Sequence, residues 1–213
     1  MFVDRTHAGE TLAEALQRQA TGDPIVLALP RGGLPVAEPI ARALGATLDV
    51  LIVRKLGAPT NPEFAFGAVG EGGAVVIDDQ TVSDLHLDDA TRDRIISDAL
   101  IEIQRRVDSY RGGRELPILT GRTVIIVDDG LATGSTAAAG VAVVRAQGAE
   151  HIVLAVPTGS HQAVAAMRSR CDEVVCLEEP DWFGSVGSQY ESFPQISDNE
   201  VIATLDRNRH VHR

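Results

Sequence analysis

The chain has 213 residues, of which 44% are hydrophobic and 23% charged, and this composition excludes a disordered or fibrous protein. Its length predicts one domain with an appendage rather than two equal domains. The net charge of −11 opposes attraction to nucleic-acid phosphates and anionic lipid, so we expect neither partner. Two cysteines, no apolar leader in the first ten residues and no long apolar run predict a reducing, cytoplasmic setting.

The order of apolar runs, Gly-rich loops and helix-like segments predicts repeated βαβ units. Because only 4% of the residues are aromatic, the core must be aliphatic, which suits parallel strands covered on both faces. Pro39 is expected to delay or kink the first helix, and Asp88 or Asp89 to cap the second. We predict strands at 24–29, 48–53, 74–78, 123–127, 151–156 and 173–177, helices at 34–44, 90–110, 137–147, 162–170 and 198–207, and a hairpin with a mobile loop at 57–73.

The segment 124–136, VIIVDDGLATGST, has the composition of a ligand site. Its apolar strand would place Asp128 and Asp129 at the carboxyl edge of a sheet, where open α/β sheets bind ligands. The following backbone amides, the hydroxyls of Thr133, Ser135 and Thr136 and a helix start would form a phosphate cradle.

The two carboxylates would repel that phosphate, so they must face another part of the same ligand. Sugar hydroxyls or a metal ion fit, and a phosphorylated pentose satisfies the whole arrangement. A Walker A loop is excluded because the segment has no lysine, and the dinucleotide fingerprint is excluded because it needs three spaced glycines.

This segment resembles, over all thirteen positions, the phosphoribosyl-pyrophosphate binding motif of type I phosphoribosyltransferases, and the order of elements over 24–177 is similar. The resemblance implies an α/β fold with an open, mainly parallel five-stranded sheet flanked by helices, a small hood and an inserted flexible loop. We therefore expect a single domain over 1–213, with its core at about 24–177 and its hood formed by the N-terminal segment and 178–213.

The resemblance also implies the site residues. The sequence Pro30-Arg31-Gly32-Gly33 looks like the pyrophosphate loop of the family, which usually holds a non-proline cis peptide, and Arg54 and Lys55 would meet pyrophosphate at the end of the second strand. Trp182 and Phe183 would either stack on a base or anchor the hood. The catalytic residues implied are Arg31, Lys55, Asp128 and Asp129, and the substrate contacts are Arg31, Gly32, Gly33, Arg54, Lys55, Asp128, Asp129, Gly130, Ala132, Thr133, Gly134, Ser135, Thr136, Trp182 and Phe183.

The reaction implied is displacement of pyrophosphate from C1 of 5-phosphoribosyl-1-pyrophosphate by a nitrogenous base. Mg²⁺ would lie on the pyrophosphate, with Asp128 and Asp129 as weak ligands acting mostly through substrate and water. No segment identifies the base, and a homodimer is compatible with the family. A sensor that binds phosphoribosyl pyrophosphate without catalysis is the alternative, whereas a sugar-phosphate hydrolase would need a base or nucleophile that the motif lacks. His161 could be structural or touch ligand.

Overall fold

A computed structural model describes residues 1–17, 23–59 and 61–208 of the chain, and it describes residues 61–64 by their backbone only. Residue 60 of the predicted mobile loop and residues 209–213 of the predicted hood lie outside the described residues. The helices are α1 (Arg5–Leu16), α2 (Gly33–Leu44), α3 (Asp79–Asp84), α4 (Asp89–Arg111), α5 (Ser135–Ala146), α6 (His161–Arg168) and α7 (Asp198–Asn208). The strands are β1 (Ile25–Ala28), β2 (Thr47–Val50), β3 (Val53–Ala58), β4 (Asn61–Gly70), β5 (Ala74–Ile77), β6 (Thr123–Val127), β7 (His151–Thr158) and β8 (Glu173–Glu178).

The core is a five-stranded parallel sheet in the order β2-β1-β6-β7-β8, as the sequence predicts. Every residue of β1 is buried. Val26 and Ala28 belong to one apolar cluster, and Ile25 and Leu27 belong to another. Because alternate side chains of a strand point to opposite faces, the two clusters cover the two faces of the sheet. This double burial explains the aliphatic composition.

Helices α1 and α2 pack against each other on one side of this sheet. A Cβ atom on Gly9 of α1 would lie 2.3 Å from the carbonyl oxygen of Val36, so glycine permits the close approach of the two helices. Pro39 lies inside α2, which already begins at Gly33, so the predicted delay of this helix is wrong. Helix α1 was not predicted, although the side chain of Asp4 caps its first turn.

The predicted second strand, 48–53, is wrong in its extent. Strand β2 ends at Val50, Leu51 and Ile52 are buried, and Val53 begins β3 in a separate antiparallel sheet, β3-β4-β5. The amide of Leu51 still donates to the carbonyl of Ala28 in β1, and the next amide, that of Ile52, points to the other side and donates to Oε1 of Glu71. Arg54 and Lys55 therefore belong to the small sheet. The hairpin predicted at 57–73 is present as the antiparallel pair of β3 and β4, with the end of β3 and the whole of β4 inside that range.

Helix α4 spans Asp89–Arg111 and is capped by Asp88, whose side chain accepts from the Thr91 amide, as predicted. At its end, the buried guanidinium of Arg111 forms an ion pair with Glu71 and lies 3.5 Å from Oδ1 of Asp49. These three side chains join α4 to the small sheet and to the edge of the core sheet. The short helix α3, which joins the small sheet to α4, was not predicted.

The two ends of the described chain meet beside the carboxyl edge of the core sheet. The amide of Phe2 donates to the carbonyl of Gln189, and the amide of Glu191 donates to the carbonyl of Phe2, each at 2.9 Å. The Phe2 and Tyr190 rings lie 5.7 Å apart. The name hood is used below for these two segments, and the division of the chain into core and hood stays a prediction. Among the described residues, no helix combines the length and the apolar character that crossing a bilayer requires.

Candidate active site

The two acidic residues of the motif lie directly after β6, between the ends of β1 and β7. The amide of Asp129 donates to Oδ1 of Asp128 at 2.9 Å, so the first carboxylate shapes the turn that leads to the second. Burial raises the pKa of Asp128 well above its usual range, and the neighbouring Asp129 raises it further. Burial also raises the pKa of Asp129, but the guanidinium of Arg5 opposes that rise.

The loop after the carboxylates, which the sequence predicts to be a phosphate cradle and which is called the cradle below, leads into the start of α5. Gly134, immediately before the helix, has a φ of +72°, which a residue with a side chain rarely adopts. The hydroxyls of Thr133 and Ser135 lie 3.0 Å apart. A cavity of about 150 Å³ opens between this loop and the hood. Its lining consists of Asp128, residues 130–137 and Val186.

The following loop of the core, between β7 and α6, fixes the cradle from behind. The hydroxyl of Ser160 donates to the carbonyl of Ala132 at 2.9 Å, and the amide of Leu131 donates to the carbonyl of Thr158 at 2.9 Å. These bonds tie the cradle to the end of β7 and to the loop that follows it.

Two residues from the ends of the chain hold Asp129, and sequence reasoning missed both. Nε of Arg5 donates to Oδ2 of Asp129 at 2.9 Å, and the Tyr190 hydroxyl donates to its backbone carbonyl at 2.6 Å. The signal for α1 was available, since Asp4 is a cap residue and Ala8, Leu12 and Leu16 recur at helical spacing. Nothing in the local sequence links that helix to the motif.

The loop after β1 lies against the second carboxylate. The Pro30–Arg31 peptide bond is cis, as the resemblance implied. A Cβ atom on Gly32 would lie 2.0 Å from Oδ2 of Asp129, and one on Gly33 would lie 2.5 Å from the carbonyl oxygen of Val127. The structure thus brings this loop and the motif into contact. Arg31, Gly32 and Asp129 share the lining of a cavity of about 500 Å³ beneath the hood.

Arg31 is oriented by the start of α7. Its Nη1 lies 3.8 Å from Oδ1 of Asp198, and the Tyr110 hydroxyl donates to the same oxygen at 2.7 Å. Burial, together with this hydrogen bond, raises the pKa of Tyr110 to about 12, so it remains a donor.

The two basic residues of β3 are placed differently from each other. Lys55 lines a cavity of about 330 Å³ together with Thr133, Gly134 and Ser135, so the structure brings it beside the cradle. Arg54 lines two cavities with residues of α4, neither of which includes the motif. Their predicted common location at the end of a core strand is wrong because β3 belongs to the small sheet.

The predicted aromatic contacts lie after β8. Trp182 is 84% exposed and Phe183 is half-buried, and neither lines a cavity described above beside the motif. Phe193, which was not singled out, lines the cavity beneath the hood, and the Arg5 guanidinium lies 3.6 Å above its ring centre. His161 starts α6, with Nδ1 3.3 Å from Glu179.

The carboxylates are also the groups that could hold a metal ion. Over the described part of the chain, no group of three or more His, Cys, Asp or Glu side chains has the arrangement of a metal site. Mg²⁺ commonly uses only one or two carboxylates together with water and substrate phosphates. Each of the two carboxylates already has one oxygen engaged, because Oδ1 of Asp128 accepts from the Asp129 amide and Oδ2 of Asp129 accepts from Arg5.

These features coincide with a known family. The model of the phosphoribosyl transferase domain matches residues 4–191, so the chain belongs to the phosphoribosyl transferase family. The resemblance of the motif to that of type I phosphoribosyltransferases, stated from the sequence, is thereby confirmed.

Two relatives show how far the likeness extends. The chain is 51% identical over 207 residues to the Mycobacterium tuberculosis protein named "Putative phosphoribosyl transferase Rv0571c". The match covers 97% of this chain and 47% of that protein. The crystal structure of TT1426 from Thermus thermophilus is similar, with a TM-score of 0.90, 44% identity and coverage of 96% of this chain and 97% of that one. The chain thus spans about half the length of the curated relative.

Proposed function

We propose that the protein transfers the phosphoribosyl group of 5-phosphoribosyl-1-pyrophosphate to a nitrogenous acceptor, with Mg²⁺ bound to the pyrophosphate. The observation that carries the proposal is the junction of three parts at one sheet edge. They are the carboxylates Asp128 and Asp129, the cradle that leads into α5, and the Gly32 backbone packed against Asp129. Family membership supports the same reaction class.

The cradle is suited to the 5-phosphate of the substrate. Amides of 132–136 at the start of α5 offer hydrogen-bond donors, and the positive end of the helix dipole favours an anion. The hydroxyls of Thr133, Ser135 and Thr136 add donors. This arrangement needs no lysine in the loop, which accounts for phosphate binding by a protein with a net charge of −11.

The two carboxylates would bind the ribose hydroxyls. During transfer the bond from C1 to pyrophosphate breaks, the bond from C1 to the acceptor nitrogen forms, and the acceptor loses its proton. Positive charge develops on the ribose ring, as in glycoside cleavage, and preorganised negative groups stabilise it. Asp128 and Asp129 therefore act most strongly in the transition state, and no protein nucleophile is required.

The pyrophosphate would lie against the backbone of Gly32 and Gly33 and the guanidinium of Arg31. Mg²⁺, when bound, would neutralise charge on the leaving group, with Asp128 and Asp129 as weak ligands. Lys55 would add a positive charge beside the cradle, because it lines a cavity together with Thr133, Gly134 and Ser135.

The acceptor would enter the cavity beneath the hood. Its volume of about 500 Å³ is within the range of small-molecule sites. Val186 and Ile196 supply apolar surface, and Gln195 supplies an amide. Stacking of the acceptor on Trp182 or Phe183 remains a prediction, because it would require these residues to approach that cavity.

Calorimetric titration and thermal shift test the binding half of the proposal. Phosphoribosyl pyrophosphate with Mg²⁺ should raise the melting temperature of the wild type, and the Asp128→Asn, Asp129→Asn double variant should lose that shift. The double variant Asp93→Asn, Asp108→Asn is the matched control, because it removes two exposed carboxylates from α4. An unchanged shift in the motif variant would contradict the sugar-binding role.

Pyrophosphate release across a panel of free bases tests catalysis. Release with at least one base, dependent on Asp128 and Asp129, is the expected result. Tight binding of phosphoribosyl pyrophosphate with no release across the panel would instead indicate the sensor function.

A further inference from the structure

Arg5 is a buried cation that reaches the proposed site from outside the motif. It is the first residue of α1, and its side chain is only 9% exposed. Such burial is uncommon for arginine unless its charge is compensated. Three contacts compensate it. Nε donates to Oδ2 of Asp129 at 2.9 Å, Nη1 donates to the carbonyl of Pro194 at 2.8 Å, and the guanidinium lies 3.6 Å from the centre of the Phe193 ring.

The contact with Arg5 restrains the carboxylate of Asp129 from one side, and the backbone of Gly32 restrains it from the other. The space for a Cβ on Gly32 is already filled by Oδ2 of Asp129, so the carboxylate is packed between the pyrophosphate loop and Arg5. The hydroxyl of Tyr190 holds the backbone carbonyl of the same residue. Asp129 nevertheless lines the cavity beneath the hood, where a ligand can reach it.

We propose that Arg5 is a positioning residue that holds the Asp129 carboxylate in the orientation that binds ribose, an inference that rests on the function proposed above. Its positive charge also offsets the repulsion between two adjacent carboxylates. The planar guanidinium serves two acceptors while it stacks on Phe193, and a lysine ammonium cannot reproduce that geometry. Arg5 also lines the cavity beneath the hood, and the hood thereby contributes to the site through a residue whose role is to position Asp129.

A purely structural role for Arg5, as an anchor of the hood, predicts a different energetic pattern. If Arg5 acts through Asp129, its replacement should matter little once the Asp129 carboxylate is gone. If it only anchors the hood, its replacement should cost the same whether or not that carboxylate is present. A double-mutant cycle separates the two cases.

The experiment measures the affinity for phosphoribosyl pyrophosphate with Mg²⁺, and for ribose 5-phosphate, by calorimetric titration. The variants are Arg5→Gln, Arg5→Lys, Asp129→Asn and the double variant Arg5→Gln, Asp129→Asn. We expect Arg5→Gln to weaken both ligands on the order of tenfold, as loss of a charged hydrogen bond would. Arg5→Lys should recover part of that loss, and Arg5→Gln should add less than about twofold in the Asp129→Asn background.

Arg122→Gln is the matched control. Arg122 also pairs with an aspartate, Asp23, at 2.7 Å, but it lies at the opposite end of β6 from the motif. This variant should bind both ligands as the wild type does. Circular dichroism and melting temperature report whether each variant folds. If Arg5→Gln fails to fold, Arg5→Lys still decides, because wild-type affinity in that variant would overturn the proposal.

If the losses of binding free energy in Arg5→Gln and Asp129→Asn add fully in the double variant, the positioning role is overturned and Arg5 only anchors the hood. Wild-type affinity in Arg5→Gln, with weakened binding in Asp129→Asn, would overturn it while leaving the proposed function intact. A wild-type protein that binds neither ligand would instead reject the proposed function, and the inference with it.

Discussion

The Asp129 carboxylate occupies the space where a side chain at position 32 would begin: a Cβ atom on Gly32 would lie 2.0 Å from Oδ2 of Asp129. Two segments almost a hundred residues apart therefore share one volume. Gly32 is required here for close packing, not for an unusual φ, which is −64°.

Gly32→Ala should push the Asp129 carboxylate away from its contact with Arg5 and abolish the thermal shift produced by phosphoribosyl pyrophosphate with Mg²⁺. Gly140→Ala is the control, because a Cβ there would meet the methyl groups of Leu29 and Leu51 at 3.3 Å, and these can adjust. We expect that control to retain the shift. A normal ligand response in Gly32→Ala would show that Asp129 is not needed in its observed position.

Asp128→Asn should stabilise the protein without ligand at neutral pH. The folded-state pKa of Asp128 lies above its unfolded value because of burial, so between these two pKa values stability falls as pH rises. Asparagine keeps an oxygen for the Asp129 amide but has no charge to bury. The gain in melting temperature should be present at pH 7 and should shrink as pH falls towards about 4, near the unfolded pKa.

Melting curves of the wild type and Asp128→Asn between about pH 4.5 and 8 measure this difference, since that window lies above the unfolded pKa. For a chain of this size, each ~1 kcal/mol of stabilisation raises the melting temperature by roughly 2–4 °C. A gain that is independent of pH would contradict the assignment to the buried carboxylate. The same variant should bind phosphoribosyl pyrophosphate more weakly, as a trade between stability and function.

Lys55→Ala should weaken phosphoribosyl pyrophosphate more than Arg54→Ala does. Lys55 shares a cavity with Thr133, Gly134 and Ser135, whereas Arg54 faces α4. We expect a loss of about tenfold for Lys55→Ala, equivalent to about 1.4 kcal/mol. Titrations at two salt concentrations should show a smaller salt dependence in this variant. Equal losses of affinity in the two variants would contradict a role for Lys55 that depends on its position beside the cradle.

Arg111→Ala should destabilise the fold by about 3–5 kcal/mol, because it leaves the buried Glu71 without its cation. Arg105→Ala, in the same helix, removes only an exposed pair with Glu102 and should cost far less, because solvent screens such pairs. Urea unfolding measures both values. Comparable losses in the two variants would contradict the importance of the buried ion pair.

The sequence identifies the core sheet well because each core strand is an apolar run followed by a distinctive loop. Strand β6, predicted at 123–127, is found at those residues, and its motif also predicts the cradle. The break after β2 was missed because Leu51 and Ile52 are as apolar as a strand. The group that accepts from the Ile52 amide at this break is the carboxylate of Glu71, which lies nineteen residues away along the chain.

The candidate site also contains contacts between residues that are distant along the chain, and the sequence does not reveal them. Asp128 and Asp129 are visible in the sequence because the strand, the two carboxylates and the loop that follows are consecutive along the chain. Arg5 and Tyr190 are not, since each becomes relevant only when the chain folds back onto position 129. Periodicity and motif spacing report neighbours along the chain, and they carry no information on contacts of this kind.

Asp129 lies near the middle of the sequence, but its side chain and its carbonyl are held by Arg5 and Tyr190. During synthesis, the five core strands are complete once Glu178 has left the ribosome, while the contacts from Tyr190 and Pro194 are still to come. A nascent chain of that length would hold its carboxylates and Arg5, but it would lack the Pro194 carbonyl and the Tyr190 hydroxyl that complete their alignment. Under the function proposed above, the site for ribose would be completed only after the core has formed.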